Sequence, residues 1–174
     1  MSSGMKSMRN IYLTDGVVTL AEYIKDEDDP ALYACWCDSD TERGYNTRQT
    51  RTYAEYYVRE QKGWGAIIVR CGDETPVGCV MLFPEIAQPD LAIMIYPEYR
   101  GMGYGTRAFA LGAQYCAGAF GLKRIYAGCY EGNLASRKML ERCGFVLDPE
   151  PVGSSETHYL TGEKIIQQEF VKYF

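Results

Sequence analysis

The chain has 174 residues, of which 47% are hydrophobic and 24% are charged, as is typical of a single globular domain. No apolar run approaches the roughly 18 residues of a membrane-spanning helix, and the first residues lack the apolar stretch of a secretory signal. The net charge is −5, and all of the excess acid lies in residues 1–87. We expect a cytoplasmic protein that binds neither membrane nor nucleic acid. A flexible lead-in is predicted over residues 1–10 and one domain over residues 11–174.

Cysteine and histidine usage bears on metal binding and on covalent catalysis. The seven cysteines are scattered along the chain, and His158 is the only histidine. An odd number of dispersed cysteines is typical of free thiols in a reducing compartment. Cys35 and Cys37 are too closely spaced for a usual ligand pair. We therefore expect no metal site and no Ser-His-Asp triad.

The first half of the chain predicts a strand, two helices and a hairpin. Residues 17–23 form an apolar segment that predicts the first strand. The Asp-Asp-Pro sequence at residues 28–30 predicts an N-cap and a first-turn proline for a helix that ends at residue 37. A second helix is expected over residues 52–61. Residues 64–70 and 77–83 predict the two strands of the hairpin.

The most informative segment is the glycine-rich loop that follows a predicted strand over residues 90–96. It reads Tyr99-Arg100-Gly101-Met102-Gly103-Tyr104-Gly105-Thr106 and leads into a helix. Glycine lacks a Cβ and tolerates positive φ, so the backbone can turn several N–H groups toward one point. The first amides of the helix are unpaired and lie at the positive end of its dipole. The segment therefore predicts an anion site that suits a pyrophosphate.

The second half predicts two more helices and three more strands. The helix after the loop should run to residue 120 and end at Gly121, before a strand over residues 122–130. That strand-helix-strand unit should cross over in the right-handed sense. A further helix is expected over residues 134–143, and residues 157–174 predict two closing strands. Their core candidates are Ile165, Ile166, Phe170, Val171 and Phe174. The pattern predicts an α+β fold with a mixed, mostly antiparallel sheet.

A dinucleotide-binding fold is one interpretation of the glycine loop. Read as Gly103-x-Gly105-x-x-Ala108, the loop matches the dinucleotide fingerprint, and Glu131 lies near the expected position of a ribose-binding acid. However, residues 97–100 separate the strand from the glycines, and too little chain follows to complete a doubly wound sheet. An NAD-dependent oxidoreductase is therefore the less favoured alternative.

The spacing Arg100-x-x-Gly103-x-Gly105 resembles the GCN5-related N-acetyltransferase (GNAT) family, whose signature R/Q-x-x-G-x-G/A wraps the pyrophosphate of acetyl-CoA. Downstream, Asn133-Leu134-Ala135-Ser136 and a helix ending in Gly-Phe are similar to the family's second half. The strong resemblance covers residues 90–146 and is closest to the branch with the ribosomal-protein N-terminal acetyltransferases. It implies a central sheet flanked by about four helices, with a splayed strand pair at the acetyl-CoA site.

The resemblance implies a set of donor contacts. The strand before the loop should pair its backbone with the pantetheine arm, and the loop should hold the phosphates, with Arg100 near them. Asn133 and Ser136 should contact the donor from the following helix, and Asn133 can also serve as its N-cap. The expected contacts are Ile93, Met94, Ile95, Arg100, Gly101, Met102, Gly103, Tyr104, Gly105, Thr106, Asn133 and Ser136.

The resemblance also suggests catalytic groups and one departure from the family. Asp90 stands where many members have a glutamate, at the entrance of the strand, so it is the expected general base. The family's usual thiolate-protonating tyrosine falls at Leu140, which has no proton to donate. On steps of about 100°, Ser136 lies one turn earlier on the same helix face, with Lys138 and Arg142 on the other. Ser136 is therefore the expected substitute.

We interpret the chain as an acetyl-CoA-dependent N-acetyltransferase. The acceptor would be a primary amine on a protein N-terminus, a polyamine or another small molecule, attacked directly in a ternary complex. The family places the acceptor beside the N-terminal helices and residues 38–50. The acidic run at residues 26–29 would there attract an amine. The alternative is a non-catalytic acyl-CoA sensor, for which Leu140 is the best argument. The sequence leaves a homodimer open.

Overall fold

A computed structural model describes residues 8–58, 63–83, 88–149 and 155–174. Its strands are β1 Ile11–Thr14, β2 Val18–Glu22, β3 Trp64–Arg70, β4 Thr75–Phe83, β5 Asp90–Ile95, β6 Arg124–Tyr130, β7 Val146–Leu147, β8 Ser155–Thr157 and β9 Lys164–Tyr173. Its helices are α1 Lys25–Trp36, α2 Ser39–Gly44, α3 Tyr53–Tyr57, α4 Tyr104–Phe120 and α5 Leu134–Arg142. A short 3₁₀ helix, Pro97–Tyr99, precedes the glycine loop.

The described strands form one central sheet in the order β1-β2-β3-β4-β5-β6-β9-β7, with β8 paired to β9. Every neighbouring pair is antiparallel except β5 and β6, which are parallel. The predicted α+β fold with a mixed, mostly antiparallel sheet is confirmed. The described residues contain five α-helices rather than about four.

The sheet has a hydrophobic core on each face. One core packs α4 and α5 against the strands through residues such as Phe109, Leu140 and Phe170. The other packs α1 and α3 through Leu32 and Tyr56. Side chains of a strand alternate between the two faces. Consecutive residues of β5 therefore point alternately toward the helix pair α4–α5 and toward α1–α3.

The N-terminal elements differ most from the predictions. β1 and α2 were not predicted, and α3 ends at Tyr57 although a helix over residues 52–61 was expected; residues 59–61 lie outside the described residues. Helix α1 begins at Lys25, so Pro30 lies inside it rather than at its first position. As the sixth residue of α1, Pro30 lies past the four amides that lack an intrahelical acceptor, so it removes one backbone hydrogen bond from the helix.

The acidic run at the start of α1 is a folded cluster rather than an open surface. Asp28 is 2% exposed and accepts hydrogen bonds from the Ile24 amide at 2.7 Å and from the Arg9 guanidinium at 2.6 Å. Asp29 is fully buried and pairs with Lys25 and the Tyr23 hydroxyl. The cluster anchors Arg9, which the predicted lead-in included. These acids stabilise α1 and are already paired with cations.

The second half of the chain follows the predictions closely. Helix α4 ends at Gly121, whose φ of 64° is the left-handed conformation expected of a helix-terminating glycine. In β9, Phe170 and Val171 are buried as predicted. Ile166 and Phe174 are each 45% exposed, so these two core predictions are wrong.

Candidate active site

The parallel strands β5 and β6 separate soon after they begin. Asp90 is paired with Tyr126, and the Tyr126 amide donates to the carbonyl of Pro89 at 2.9 Å. Among the described residues this is the whole of the β5–β6 register, whereas β4 pairs with β5 along its full length. The splayed strand pair is therefore present. It leaves a gap in the middle of the sheet, with one edge of β5 unpaired.

The strand register decides which backbone groups face the gap. The Tyr96 amide donates to Val77 on the β4 side, so in an antiparallel ladder Met94 also faces β4. Ile93 and Ile95 then face the gap, which leaves these two residues, and not Met94, to offer backbone contacts to a bound molecule. Two polar side chains already reach their carbonyls. Tyr45 Oη donates to Ile93 O at 2.6 Å, and Arg100 Nε donates to Ile95 O at 3.1 Å.

The glycine loop lies at the end of the gap and opens α4. Gly101 and Gly103 have φ values of 74° and 82°, which L-residues other than glycine rarely adopt. Gly103 is the N-cap of α4, and no side chain caps that end. The first amides of a long helix are therefore available to an anion. Gly105 lies within the helix and has ordinary φ, so the predicted backbone requirement applies to Gly103 rather than to Gly105.

Arg100 is committed to the neighbouring helix. Its guanidinium donates to Asp38 Oδ2 at 2.7 Å and to Thr41 Oγ1 at 2.7 Å. Asp38 is also the N-cap of α2, since it accepts the Thr41 amide at 3.0 Å. Arg100 therefore fixes α2 against the glycine loop. Its predicted contact with the phosphates stays a prediction.

Asp90 carries a carboxylate suited to accepting a proton. Its Oδ1 is buried and has no hydrogen-bond partner among the described residues. Burial, with a smaller contribution from the charge of Glu169, raises the pKa of Asp90 to about 6. A carboxylate with a pKa near the working pH is a more effective base than an ordinary one. Such a strongly perturbed group inside a cavity is a candidate for catalysis.

Helix α5 places three of the predicted positions beside the gap. Asn133 Oδ1 accepts the Ser136 amide at 3.1 Å, so Asn133 is the N-cap of α5. Ser136 is half-buried in the first turn, and Leu140 is 1% exposed within the core. Arg142 lines the same cavity as Ser136, although the helical pattern had put it on the opposite face.

These features surround one cavity of about 710 Å³. Of the predicted site residues, it collects Asp90, Ile93, Met94, Ile95, Arg100, Gly101, Gly103, Tyr104, Gly105, Thr106, Asn133 and Ser136. Met102 is not among the lining residues, and its side chain is 57% exposed. The sequence prediction missed Trp36, Tyr45, Met81, Phe83, Tyr130 and Arg142. The aromatic residues among them belong to no sequence motif. Strand register and the unpredicted α2 bring them to the cavity, so local sequence could not reveal them.

A family comparison identifies the class to which this fold and cavity belong. Residues 18–146 match the model of the acetyltransferase (GNAT) domain. This match spans most of the chain, and it includes the glycine loop and α5. The chain is therefore a GNAT-family acetyltransferase. The family uses acetyl-CoA as the acetyl donor.

Solved structures of the same fold are numerous, although their sequences are distant. A GNAT acetyltransferase from Bacillus anthracis has a TM-score of 0.76 at 15% identity, covering 94% of this chain and 98% of its own. A spermidine N-acetyltransferase from Vibrio cholerae, solved with CoA and spermine, has a TM-score of 0.77 at 14% identity, covering 91% and 96%. A ribosomal L7/L12 alpha-N-protein acetyltransferase, RimL, has a TM-score of 0.72 at 14% identity, covering 99% of both chains. Comparison with curated protein sequences finds no match.

The described part of the chain contains neither a membrane-spanning helix nor a cluster of metal ligands. Over residues 8–58, 63–83, 88–149 and 155–174, no helix is long and apolar enough to cross a membrane. In the same part of the chain, no group of three or more His, Cys, Asp or Glu side chains is arranged to hold a metal ion.

Proposed function

We propose that this protein transfers the acetyl group of acetyl-CoA to a primary amine by direct attack within a ternary complex. The observation that carries the proposal is the continuity of the β5–β6 gap with the glycine loop. The unpaired edge of β5 can extend its ladder to the amides of a pantetheine arm. The N-terminus of α4 lies where that arm would end in a pyrophosphate.

The donor would be held mainly by backbone groups. Ile93 and Ile95 would pair with the pantetheine arm, and the amides from Gly101 to Thr106 would bind the pyrophosphate. Asn133 and Ser136 would contact the donor from α5. Arg142 adds a cation to the same cavity, and its guanidinium forms no ion pair with any of the described residues. These contacts would position the acetyl group at the closed end of the gap, beside Asp90.

Asp90 would act as the general base. An amine attacks a thioester only in its neutral form, so a proton must leave the nitrogen. The buried carboxylate can take that proton directly or through one water molecule. The resulting charge loss suits a group that burial already makes reluctant to stay ionised.

The acceptor would be a small amine or the N-terminus of a peptide. The cavity lining includes Trp36 of α1, Tyr45 at the end of α2, and Met81 and Phe83 of β4, and Asp40 of α2 adds an acidic group. Structures of this fold include enzymes named for spermidine and for a ribosomal protein. Since Leu140 replaces the usual tyrosine, a non-catalytic acyl-CoA sensor is the second candidate. A cytoplasmic location and a homodimer stay predictions.

Two assays test this proposal. Acetyl-CoA should raise the melting temperature with the logarithm of its concentration above Kd, whereas NADH should not raise it. A panel of polyamines, small primary amines and short peptides should then show amine-dependent release of free CoA, with acetylated product found by mass spectrometry. Stabilisation by acetyl-CoA without turnover of any amine would favour the sensor. Stabilisation by NADH alone would reverse the assignment.

A further inference from the structure

Tyr45 places a hydroxyl group inside the β5–β6 gap. It is the C-terminal cap of α2, and its ring lines the cavity. Its Oη donates to Ile93 O at 2.6 Å, and Ile93 is one of the two residues of β5 whose backbone groups face the gap. The hydroxyl proton therefore lies at the edge on which the donor's arm would pair.

Two sets of contacts fix the position of Tyr45, one through its ring and one through the residue that follows it. It packs on Trp36 of α1, with ring centroids 5.0 Å apart. The next residue, Asn46, has a φ of 48° and donates to Glu156 Oε2 at 3.2 Å and to Thr157 O at 3.0 Å. These contacts fix the end of α2 against β8. A hydroxyl positioned in this way is suited to a reacting atom, because little ordering remains when substrate binds.

Tyr45 and Asp90 lie on the same face of the sheet. Alternation along β5 puts Asp90 on the face of Met94, which packs with α1 and α3. Titratable groups from three elements act on Tyr45: Cys35 of α1, Cys79 of β4 and Asp90 of β5. Burial, with smaller contributions from these groups, raises the pKa of Tyr45 well above its ordinary value. Its hydroxyl is therefore protonated at neutral pH.

The other candidates for a proton donor are less well placed. Leu140 stands at the family's usual tyrosine position and has no proton to give. Ser136 lies in the first turn of α5, which packs on the opposite face of the sheet from Asp90 and Tyr45. Its position suits a contact with the donor near the glycine loop.

We propose that Tyr45 is the proton donor to the leaving thiolate, in place of the tyrosine that the family usually has at the position of Leu140. The inference rests on the acetyltransferase function proposed above. The amine nitrogen forms a bond to the thioester carbonyl carbon, and Asp90 takes the proton that the nitrogen loses. The carbon–sulfur bond then breaks with its electron pair on sulfur, and Tyr45 Oη gives its proton to that sulfur. Water returns a proton to Oη and receives one from Asp90, so the cycle balances.

The Tyr45→Phe variant tests this role, since it removes one oxygen and keeps the ring. We expect kcat with the best amine to fall about ten- to a hundredfold, while the acetyl-CoA Kd by calorimetry changes less than about twofold. An acetyl thioester of an acidic aromatic thiol, 4-nitrothiophenol, has a leaving group that needs no proton. With that donor the ratio of wild-type to Tyr45→Phe rates should fall toward one. A purely structural role would lower both donors' rates equally.

The matched control is Tyr33→Phe, which also removes a tyrosine hydroxyl bonded to a main-chain carbonyl. Tyr33 Oη donates to Arg51 O at 2.8 Å, outside the cavity, so kcat should stay within about twofold. Undiminished kcat in Tyr45→Phe, or an equal loss with both thioesters, would overturn the assignment to Tyr45 alone. A tenfold loss of kcat in Ser136→Ala with none in Tyr45→Phe would return the role to Ser136. Failure of the wild-type protein to turn over any amine would overturn the proposed function as well.

Discussion

The two sides of the β5–β6 gap differ in how far the sequence alone could predict them. The donor side consists of β5, the glycine loop, α4 and α5, and its backbone groups follow from local motifs. The proposed acceptor side consists of α1, α2 and Tyr45, and only tertiary contacts, such as that of Tyr45 with Ile93, bring these elements to the gap. A binding site made of backbone groups can therefore be predicted from a short segment of the sequence. The chemistry on the acceptor side depends on tertiary packing.

The largest expected effect concerns Asp90 of β5, whose side chain points toward the acceptor side. Replacing Asp90 by Asn removes the proposed base while keeping the side chain's shape, so kcat/KM should fall about a hundredfold or more. Asp90 accepts a proton only when ionised, and its pKa is raised to about 6. The wild-type rate should therefore gain a rising limb near pH 6 that the variant lacks. Free CoA release measured from pH 5 to 9 checks this, and retention of that limb in Asp90→Asn would remove Asp90 from the mechanism.

The same substitution should increase stability. The Asp90 pKa rises from 3.8 to about 6 in the folded protein, so the carboxylate ionises at a cost that develops between those two pH values. At pH 7 the variant should gain up to about 3 kcal/mol in free energy of unfolding, and below about pH 4 it should gain little. Urea unfolding at pH 7 and at pH 3.5 measures the difference. Equal effects at both pH values would mean that the charge of Asp90 costs nothing.

On the donor side, Gly103→Val should weaken acetyl-CoA binding at least about tenfold, or about 1.4 kcal/mol. A branched side chain resists the φ of 82° that aims the loop amides, although open space surrounds the position. Gly118→Val is the matched control, because Gly118 lies in the same helix and a Cβ there meets nothing within 4 Å. Calorimetric titration compares the two. Unchanged affinity in a folded Gly103→Val protein would refute the anion site.

Another expected effect concerns Arg100, which joins the two sides and should affect stability rather than the acetyl-CoA site. Arg100→Ala removes its bonds to Asp38, Thr41 and Ile95, so the free energy of unfolding should fall by about 1–3 kcal/mol. Arg107→Ala provides the comparison, since its ion pair with Asp15 is exposed and should contribute less than about 1 kcal/mol. A large rise in acetyl-CoA KM with no loss of stability would instead favour the predicted phosphate contact.

The sequence predicted the hairpin, α4, α5 and the gap-forming strand pair because each carries strong local signals. Hydrophobic runs, a terminating glycine at residue 121 and a capping asparagine at residue 133 act within a few residues. The start of α1 was missed because the burial of Asp28 depends on its ion pair with Arg9, which a local sequence pattern does not reveal. Helix α2 was missed because its six residues are too short for a periodic pattern.

The candidate site likewise contains residues that the sequence predicted and residues that it did not. The glycine loop was predicted from the spacing of its glycines, whereas Asn133 and Asp90 were predicted from the resemblance to the GNAT family. Tyr45 was not predicted, since only the folded chain brings the end of α2 to the carbonyl of Ile93. Arg142 lines the cavity together with Ser136, although the helical wheel puts these two residues on different faces of α5, so the sequence did not predict its place there.

We propose that the donor lies along one continuous path, from the β5–β6 gap to the glycine loop. A structure of the protein with bound CoA is the sharpest test of that path. We predict a pyrophosphate within about 3.2 Å of the first amides of α4. The pantetheine arm should lie in the β5–β6 gap, paired with Ile93 and Ile95, with its sulfur near Tyr45 and Asp90. CoA bound at another surface, with the gap empty and the loop amides facing solvent, would contradict the account.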